Sequence, residues 1–395
     1  MSYVNPNFEK IFGEKATYVF SAPGRTELSG NHTDHQHGQV LAAAVNLEML
    51  AWVKPNDSTI IRVMSEGYPM SVIDVSDLEI KEEEKNTTNA LIRGVAAKFI
   101  QMGCEVKGFD AYVTSTVLPG SGLSSSAAYE TLIGTIINHL YYGAKATAVE
   151  VAQIGQWAEN VYFGKPCGLM DQTASSVGSV IGIDFADNSN PIVEKIDLDL
   201  TANGYALCII DSGADHADLT DEYAAITVEL KNVCRIFGKE FLRDVDEDEF
   251  YANIANVRQV AGDRATLRAM HVFAENKRVE AQKAALRAND FDTFLKYVTE
   301  SGLSSWRFLQ NVTPKGRDEY QEVAFALALS EKLLAGTKGV CRVHGGGFAG
   351  TIQAFVPLEI LDTFKTEIEK VLGEGKCHVL SVRAEGGVLV EEGEF

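Results

Sequence analysis

The 395-residue chain has no CxxC pair, no run of lysines and arginines, and no apolar stretch near the roughly 20 residues that cross a bilayer. Each absence removes a class of function. The six cysteines, Cys104, Cys167, Cys208, Cys234, Cys341 and Cys377, lie far apart. A chain of this size does not need disulfide staples, so they read as reduced thiols, with Cys208 in the core run ALCII. The 55 acidic residues outnumber the 35 basic ones, for a net charge of −20. Such a chain repels nucleic acid and anionic membranes unless it segregates a basic face, so neither partner is expected. The acidic stretches Glu82 to Glu84 and Asp244 to Glu249 read as solvated faces. The N-terminus MSYVNPNFEK has no basic region followed by an apolar one, which makes the cytoplasm the expected location. Low-complexity segments and clear internal repeats are also missing. Oligomeric state has no sequence signal, and a monomer or weak homo-oligomer is the expectation.

What is present is globular. Hydrophobic residues make up 46% and charged residues 23%, outside the disordered range. The length predicts two domains rather than one core. ATYVF, VLAAAV, MLAWV and FDAYVTSTVL read as strands, followed by helices over YETLIGTIINHLYYGA and AVEVAQIGQWAENVYFG. VGSVIGIDF and YALCIIDS read as strands, and long helical stretches dominate from about 222 to 334. KCHVLSVRAEGGVLVEEG near the end reads as paired strands. A boundary near residue 200, in the polar stretch DLDLTANG, divides the chain into 1–200 and 201–395. Both parts mix helix and strand, so the expected class is α+β, with two lobes and a cleft between them.

Three glycine clusters stand out, near residues 21–38, 118–130 and 343–351. Glycine marks tight turns and close backbone approach to a ligand. The second cluster, LPGSGLSSSAAYE, runs strand, glycine loop, serine run, helix. Glycines let backbone N–H groups converge, a helix N-terminus adds partial positive charge, and serine hydroxyls suit phosphate or magnesium. GxxxxGK[ST] is absent, and GxGxxG fails because Ser125 stands where its third glycine is needed. The loop alone is equally compatible with a plain Gly/Ser turn.

Taken together, SAPGRTELSGNHTDHQHG, PGSGLSSSAA and VHGGGFAGT resemble, in order and spacing, the motifs of the GHMP small-molecule kinases. PGRxxxxGxHTD and CGLMDQ point to the galactokinase branch, as do ALRANDFDTFLKYVTES and the Tyr223 region. The resemblance runs from about Thr17 to the C-terminus. It implies a two-lobed GHMP fold whose last strands can pack back on the first lobe, and ATP-dependent phosphorylation of a sugar at C1. It also implies a magnesium requirement. By position, it implies that Asp171 is the catalytic aspartate and Arg25 the arginine facing it across the transferred phosphate. Gly120, Ser121, Gly122, Leu123, Ser124, Ser125, Ser126 and Ala127 form the ATP-binding segment. Ser126, or its neighbour Ser125, and Glu159 are the magnesium ligands. Glu27, Asn31, His32, Asp34, Gly168 and Tyr223 are the sugar-side positions, and Gly345, Gly346 and Gly347 help to shape the cleft. The chemistry is coherent: phosphoryl transfer needs positioning and charge stabilisation, and Asp171 can accept or orient the weakly nucleophilic C1 hydroxyl. Arg25 would keep that carboxylate ionised and meet charge on the transferred oxygens. Magnesium prefers hard oxygen ligands such as Glu159 and a serine hydroxyl.

Each residue also has a plainer reading. Asp171 alone suits a helix N-cap, and Glu159 a solvated helix face. His32, His35 and His37 are spaced closely enough for a metal cluster, although in the family this loop binds sugar. Cys167 has no evident base beside it and reads as packing.

The chain departs from the branch on the sugar side. The usual signature reads GRVNLIGEHTDY, and here it is GRTELSGNHTDH. Glu27 stands where Asn is usual, Asn31 where Glu is usual, and His35 where Tyr is usual. The resemblance assigns the Glu that is usual at the position of Asn31 to the sugar C6 hydroxyl. Either Glu27 returns that carboxylate and galactose remains the substrate, or the change admits a C6-altered hexose or a hexuronate such as galacturonate. The flanks of Tyr223, Asp215 and Ala224-Ala225, lack the basic residues common there, which argues against an anionic sugar. A non-catalytic ligand sensor is the reading from another class, but the SSSAA segment, Arg25 and Asp171 are all intact.

Overall fold

The computed structural model describes residues 4–117, 122–214, 219–348 and 350–395. Gly120, Ser121 and Asp215 therefore lie outside the described residues. The strands are β1 (Tyr18–Ser29), β2 (Gln39–Pro55), β3 (Ile60–Ser65), β4 (Ser71–Asp74), β5 (Phe109–Ser115), β6 (Val180–Asp184), β7 (Ile192–Ile196), β8 (Tyr205–Asp211), β9 (Val340–Val343), β10 (Thr351–Pro357), β11 (Cys377–Leu380) and β12 (Val388–Glu392). The helices are α1 (Pro6–Phe12), α2 (Thr88–Gln101), α3 (Ser125–Tyr141), α4 (Ala148–Ala158), α5 (Met170–Val177), α6 (Thr220–Ile236), α7 (Glu247–Ala252), α8 (Ile254–Ala261), α9 (Asp263–Arg287), α10 (Phe291–Ser304), α11 (Glu322–Leu334) and α12 (Leu361–Leu372).

Two sheets organise these elements. The larger runs β12-β1-β2-β5-β3-β4, with β6 on the first part of β2 and β7 beyond it. The smaller runs β11-β8-β10-β9. VLAAAV and MLAWV, which read as separate runs in the sequence, form one 17-residue strand, β2. The linking NLE carries neither glycine nor proline, so nothing stops the strand. Strand β1 is buried along nearly its whole length. Its pairing with β2 shifts register between Pro23 and Arg25 and again between Glu27 and Ser29. Bulges of this kind bend a strand and re-aim its side chains, and these two bracket Arg25 and Glu27.

The segment 376–393 is not a hairpin, contrary to its strand-like pattern. β11 pairs with β8 in the smaller sheet, whereas β12 pairs with β1 in the larger one. The chain crosses between the sheets through a bridge from Val382 to Val45 and through Arg383, whose Nη1 reaches Glu48 at 2.6 Å and Ser21 at 2.7 Å. Gly386 permits the crossing, since a Cβ there would sit 1.9 Å from the Ser176 carbonyl oxygen.

One core cluster runs from Phe20, Leu41 and Leu132 through to Leu207, Phe294 and Phe355, so the two sheets share it. A second lies among α6 to α9, with Leu230, Phe250 and Val272. A third packs the smaller sheet on α11 and α12 through Ile210, Leu327 and Phe364. All six cysteines are free. No helix among the described residues is long and apolar enough to cross a membrane.

Candidate active site

Strand β1 delivers Arg25, and the first turn of α5 delivers Asp171. The two meet in a bidentate pair: Arg25 Nε donates to Asp171 Oδ1 at 2.6 Å and Nη2 to Oδ2 at 2.7 Å. Fork-to-fork pairing fixes both geometry and charge. Arg25 Nη1 also donates to the Gly122 carbonyl at 2.5 Å, and Nη2 to Ser124 Oγ at 3.0 Å. Ser124 Oγ donates in turn to Asp171 Oδ2. Asp171 is thus turned to the arginine rather than to its own helix end. Burial alone would raise its pKa, but the charge and hydrogen bonds of Arg25 outweigh this and hold it below the usual carboxylate range, helped by Ser124 and Lys165.

The described part of the glycine loop packs directly on this pair. Gly122 has φ 74°, and a Cβ on it would lie 2.7 Å from Thr351 Oγ1 and 3.1 Å from His344 Nδ1. Ser124 holds φ 55° at the start of α3 without capping the helix through its side chain. A non-glycine residue in this region stores roughly 1–3 kcal/mol of strain, which here turns the hydroxyl to Asp171. Leu123 and Ala127 are core side chains, and their segment offers backbone groups. The first backbone N–H groups of α3, at Ser125, Ser126 and Ala127, belong to the turn that a helix leaves unpaired internally.

Glu159 opens the π-helical turn Glu159–Phe163 that ends α4, and it is buried. Ser126 Oγ donates to its Oε1 at 3.4 Å, while Gln172 Nε2 donates to its Oε2 at 2.8 Å and to Glu130 Oε2 at 3.0 Å. Burial first, and the neighbouring Glu159 second, push Glu130 well above the usual carboxylate range. Among the described residues no group of three or more His, Cys, Asp or Glu side chains could hold a metal ion. One carboxylate and one hydroxyl suit a hard cation that keeps most of its waters, which is how magnesium binds.

A cavity of about 420 Å³ opens beside the Arg25–Asp171 pair, and Glu27, His32, Asp34 and Tyr223 line it too. His32, at φ 60°, has Nε2 3.0 Å from the Gly346 carbonyl, and burial pushes its pKa down to about 4. It is therefore a neutral donor at that nitrogen. Asp34 accepts from the His35 backbone N–H at 2.9 Å. Gly168 makes room for it, since a Cβ there would fall 2.2 Å from Asp34 Oδ2. The three histidines do not converge: His35 is half exposed and His37 stacks on Phe241 at 3.6 Å. Burial raises the Cys167 thiol far from a nucleophilic state. A larger cavity of about 660 Å³ lies elsewhere, beside Tyr205 and Leu380, and its lining has Asp197 and Asp199 but no arginine or lysine. It lacks the charge that a phosphate requires.

The third glycine motif meets the far side of this cavity. Gly345 O accepts from Asn31 Nδ2 at 2.5 Å, Gly346 O from His32 Nε2, and Gly347 O from Tyr223 Oη at 2.8 Å. Three consecutive carbonyls thus bracket Asn31, His32 and Tyr223. Tyr223 lies against Gly346, where a Cβ would approach its ring to 2.6 Å. Asn31 is completely buried, with Oδ1 accepting from Asn311 at 2.8 Å and Ser305 at 3.2 Å, so it stands behind the cavity wall that Glu27 lines.

Residues 6–55 match the galactokinase galactose-binding signature, and residues 90–179 match the GHMP kinase N-terminal domain. A galactokinase of Glaesserella parasuis is 32% identical over 369 residues, covering 91% of this chain and 90% of the relative. The chain belongs to the galactokinase family. A galactokinase of Streptomyces coelicolor is 29% identical and covers 93% of this chain and 91% of its own. The fold agrees: galactokinase of Lactococcus lactis, solved in complex with galactose, superposes with a TM-score of 0.82 at 24% identity. That match covers 97% of this chain and 98% of the other. A mevalonate kinase superposes at 0.65 with 13% identity, over 93% and 99% of the two chains. The class is therefore the mixed α+β fold of the GHMP kinases.

Several residues of this galactokinase-family site carry no mark in the sequence. Arg342, on β9, is buried and donates through Nη2 to Glu27 Oε1 at 2.8 Å, through Nη1 to Leu28 O at 2.9 Å and through Nε to Val343 O at 3.0 Å. Asn31 Nδ2 also reaches Glu27 Oε1, at 3.1 Å. Burial pushes Glu27 up to about 7 even though Arg342 opposes it. Glu275, on α9, accepts from Ser29 Oγ, the N–H groups of Gly30 and Asn31, Ser301 Oγ and Arg278. His271 Nε2 lies 2.9 Å from the Asn31 carbonyl. Arg342 in the short run VCRV and Glu275 in a helical run look like any other strand arginine and helical glutamate.

Proposed function

We propose that the chain is an ATP-dependent galactokinase converting ATP and galactose into ADP and galactose 1-phosphate. The observation that carries this reading is the bidentate Arg25–Asp171 pair at the edge of a sugar-sized cavity, against the glycine loop and the start of α3. In this reading residues to about 200 form one lobe of the cleft and most of the remainder the other. Asp171, kept ionised by Arg25, orients the C1 hydroxyl and takes its proton as that oxygen bonds to the γ-phosphorus and the bond to the ADP oxygen breaks. A carboxylate of lowered pKa is a weak base, so proton transfer comes late, which suits a loose transition state. Arg25 faces the transferred oxygens and stabilises their charge. Backbone N–H groups of Gly122 to Ala127, with Gly120 and Ser121 before them, hold the polyphosphate. Glu159 and Ser126 would hold magnesium, which when bound neutralises polyphosphate charge.

On the sugar side, Glu27, His32, Asp34, Gly168 and Tyr223 define the pocket, and Asn31 and Gly345 to Gly347 support it. Glu27 supplies the carboxylate that Asn31 lacks. The pocket then presents two acidic groups, Glu27 and Asp34, and a neutral His32, while Arg342 is spent behind the wall. The two cations of the described lining, Arg25 and Lys165, lie against Asp171 and Glu159. This favours a neutral hexose over galacturonate. The test is ADP release with galactose, galacturonate, N-acetylgalactosamine, glucose and talose. Galactose is expected to be fastest. Fast turnover of galacturonate with galactose no better than glucose would overturn the sugar assignment, and no release with any sugar would leave the ligand-sensor reading.

A further inference from the structure

Lys165 is a cation of the cleft with no place in the Arg25–Asp171 pair. It lines the same cavity, but its side chain is 63% exposed and its ammonium lies 3.6 Å from Glu159 Oε1. A charge-assisted hydrogen bond spans about 2.7–2.9 Å, so this is a loose point-charge contact. The backbone, by contrast, is fixed. Gly164, at φ 84°, closes the π-helical turn, and the N–H groups of Gly164 and Lys165 both donate to the Glu159 carbonyl, at 3.0 and 3.2 Å. Pro166 then locks the next φ. The chain doubles back over Glu159 and places an exposed ammonium at the cavity.

The charges there give that ammonium a use. Glu27, Asp34 and Asp171 line the cavity as carboxylates, against Arg25 and Lys165 as cations. Every side-chain nitrogen of Arg25 already has a partner, in Asp171, Gly122 or Ser124, so part of its charge is committed before a phosphate arrives. His35 faces Asp34 at 3.7 Å. An incoming phosphate dianion therefore meets a lining whose one loosely held lysine, among the described residues, is Lys165.

We propose that Lys165 is a phosphate-contacting residue, exchanging Glu159 for the transferred phosphoryl group and then holding the phosphate of the sugar 1-phosphate. The proposal rests on the galactokinase reading. A lysine suits the task because it is a compact charge on a flexible stem that can follow a moving group. The same exchange frees Glu159 Oε1, so the ammonium acts as a placeholder for the divalent cation until polyphosphate offers it another partner.

Titration calorimetry without magnesium tests this, with galactose and galactose 1-phosphate added separately to the unmodified protein, Lys165→Met and Lys165→Arg. Lys165→Met is expected to weaken galactose 1-phosphate about tenfold, the size of one exposed charge-assisted contact, and to leave galactose within about twofold. Lys165→Arg restores most of the loss. Unchanged 1-phosphate binding in Lys165→Met, or equal weakening of both ligands, overturns the inference. If the unmodified protein binds neither ligand, the galactokinase reading fails and this inference fails with it.

Discussion

The two sides of the cleft are built differently. The Arg25–Asp171 pair, Gly122, Ser124, Ser126 and Glu159 all come from the first half of the chain and touch one another. The sugar side begins on the same strand, β1, but nearly every group that orients it comes from the second half: Arg342, Gly345 to Gly347, Asn311, His271 and Glu275. The proposed transfer centre is held mainly from the first half, with Thr351 and His344 of the second half against Gly122. In the proposed reading, sugar recognition depends instead on how the second half meets β1. It follows that changes in the second half should act on sugar affinity and stability, and changes in the first on turnover.

The sharpest test of that contrast is Asp171→Asn. It removes the charge that orients the hydroxyl and is expected to lower kcat by about a thousandfold, within the usual range for a positioned acid or base. Galactose affinity, measured by calorimetry, stays close to that of the unmodified protein. A kcat near normal removes Asp171 from the reaction.

Arg342→Met acts on the other side. It leaves Glu27 buried without its cation, and breaking a buried pair costs about 3–5 kcal/mol, readable from the denaturation midpoint. Adding Glu27→Gln should recover much of that loss, because the stranded charge is gone, and a double-mutant cycle then gives the coupling. A single variant as stable as the parent would mean that the second half does not hold the sugar wall.

Glu275→Gln is a milder form of the same perturbation. Burial would raise this carboxyl, but Arg278, His271 and Arg342 hold it below the usual range. Neutralising it loosens its grip on the 29–31 turn, and the galactose KM is expected to rise about tenfold with kcat nearly unchanged, the mark of lost uniform binding. A fall in kcat alone would contradict the division of labour.

The smallest expected effect is with pH. Burial pushes Glu27 up to about 7 from an ordinary 4.5. If the ionised form accepts the sugar hydroxyl, kcat/KM falls severalfold as pH drops from about 8 to 6. That limb should vanish in Glu27→Gln. The folded state holds this proton more tightly than the unfolded chain does, so this group favours folding increasingly as pH falls through about 7 towards 4.5. The acid loss of activity through Glu27 is therefore not unfolding, and a thermal melt at pH 6 separates the two.

Much of this was legible in the residues. The glycine clusters, the order strand–loop–serine–helix, and the APGR and CGLMDQ segments carried the kinase class and the positions of Arg25, Asp171 and Glu159. Those features are local, because a turn needs its glycine and a helix end its neighbours wherever the chain goes. The segment 376–393 reads as paired strands because two strand patterns joined by a glycine pair look alike whether or not they pair. Their true partners, Tyr205 to Asp211 and Tyr18 to Ser21, are far away in sequence.

The sequence by itself, through its motifs, pointed to Arg25 and Asp171 as the groups of the proposed chemistry and to the serine-rich loop as an anion cradle. It also determined that positions 27 and 31 had exchanged residue types. Only the tertiary structure decided what the exchange means: Glu27 lines the cavity against Arg342, and Asn31 sits behind it, clamped by Gly345 and Asn311. The physical reason is burial. A carboxylate away from water must find its cation, and that cation stands 315 residues further along the chain, where no local pattern points to it.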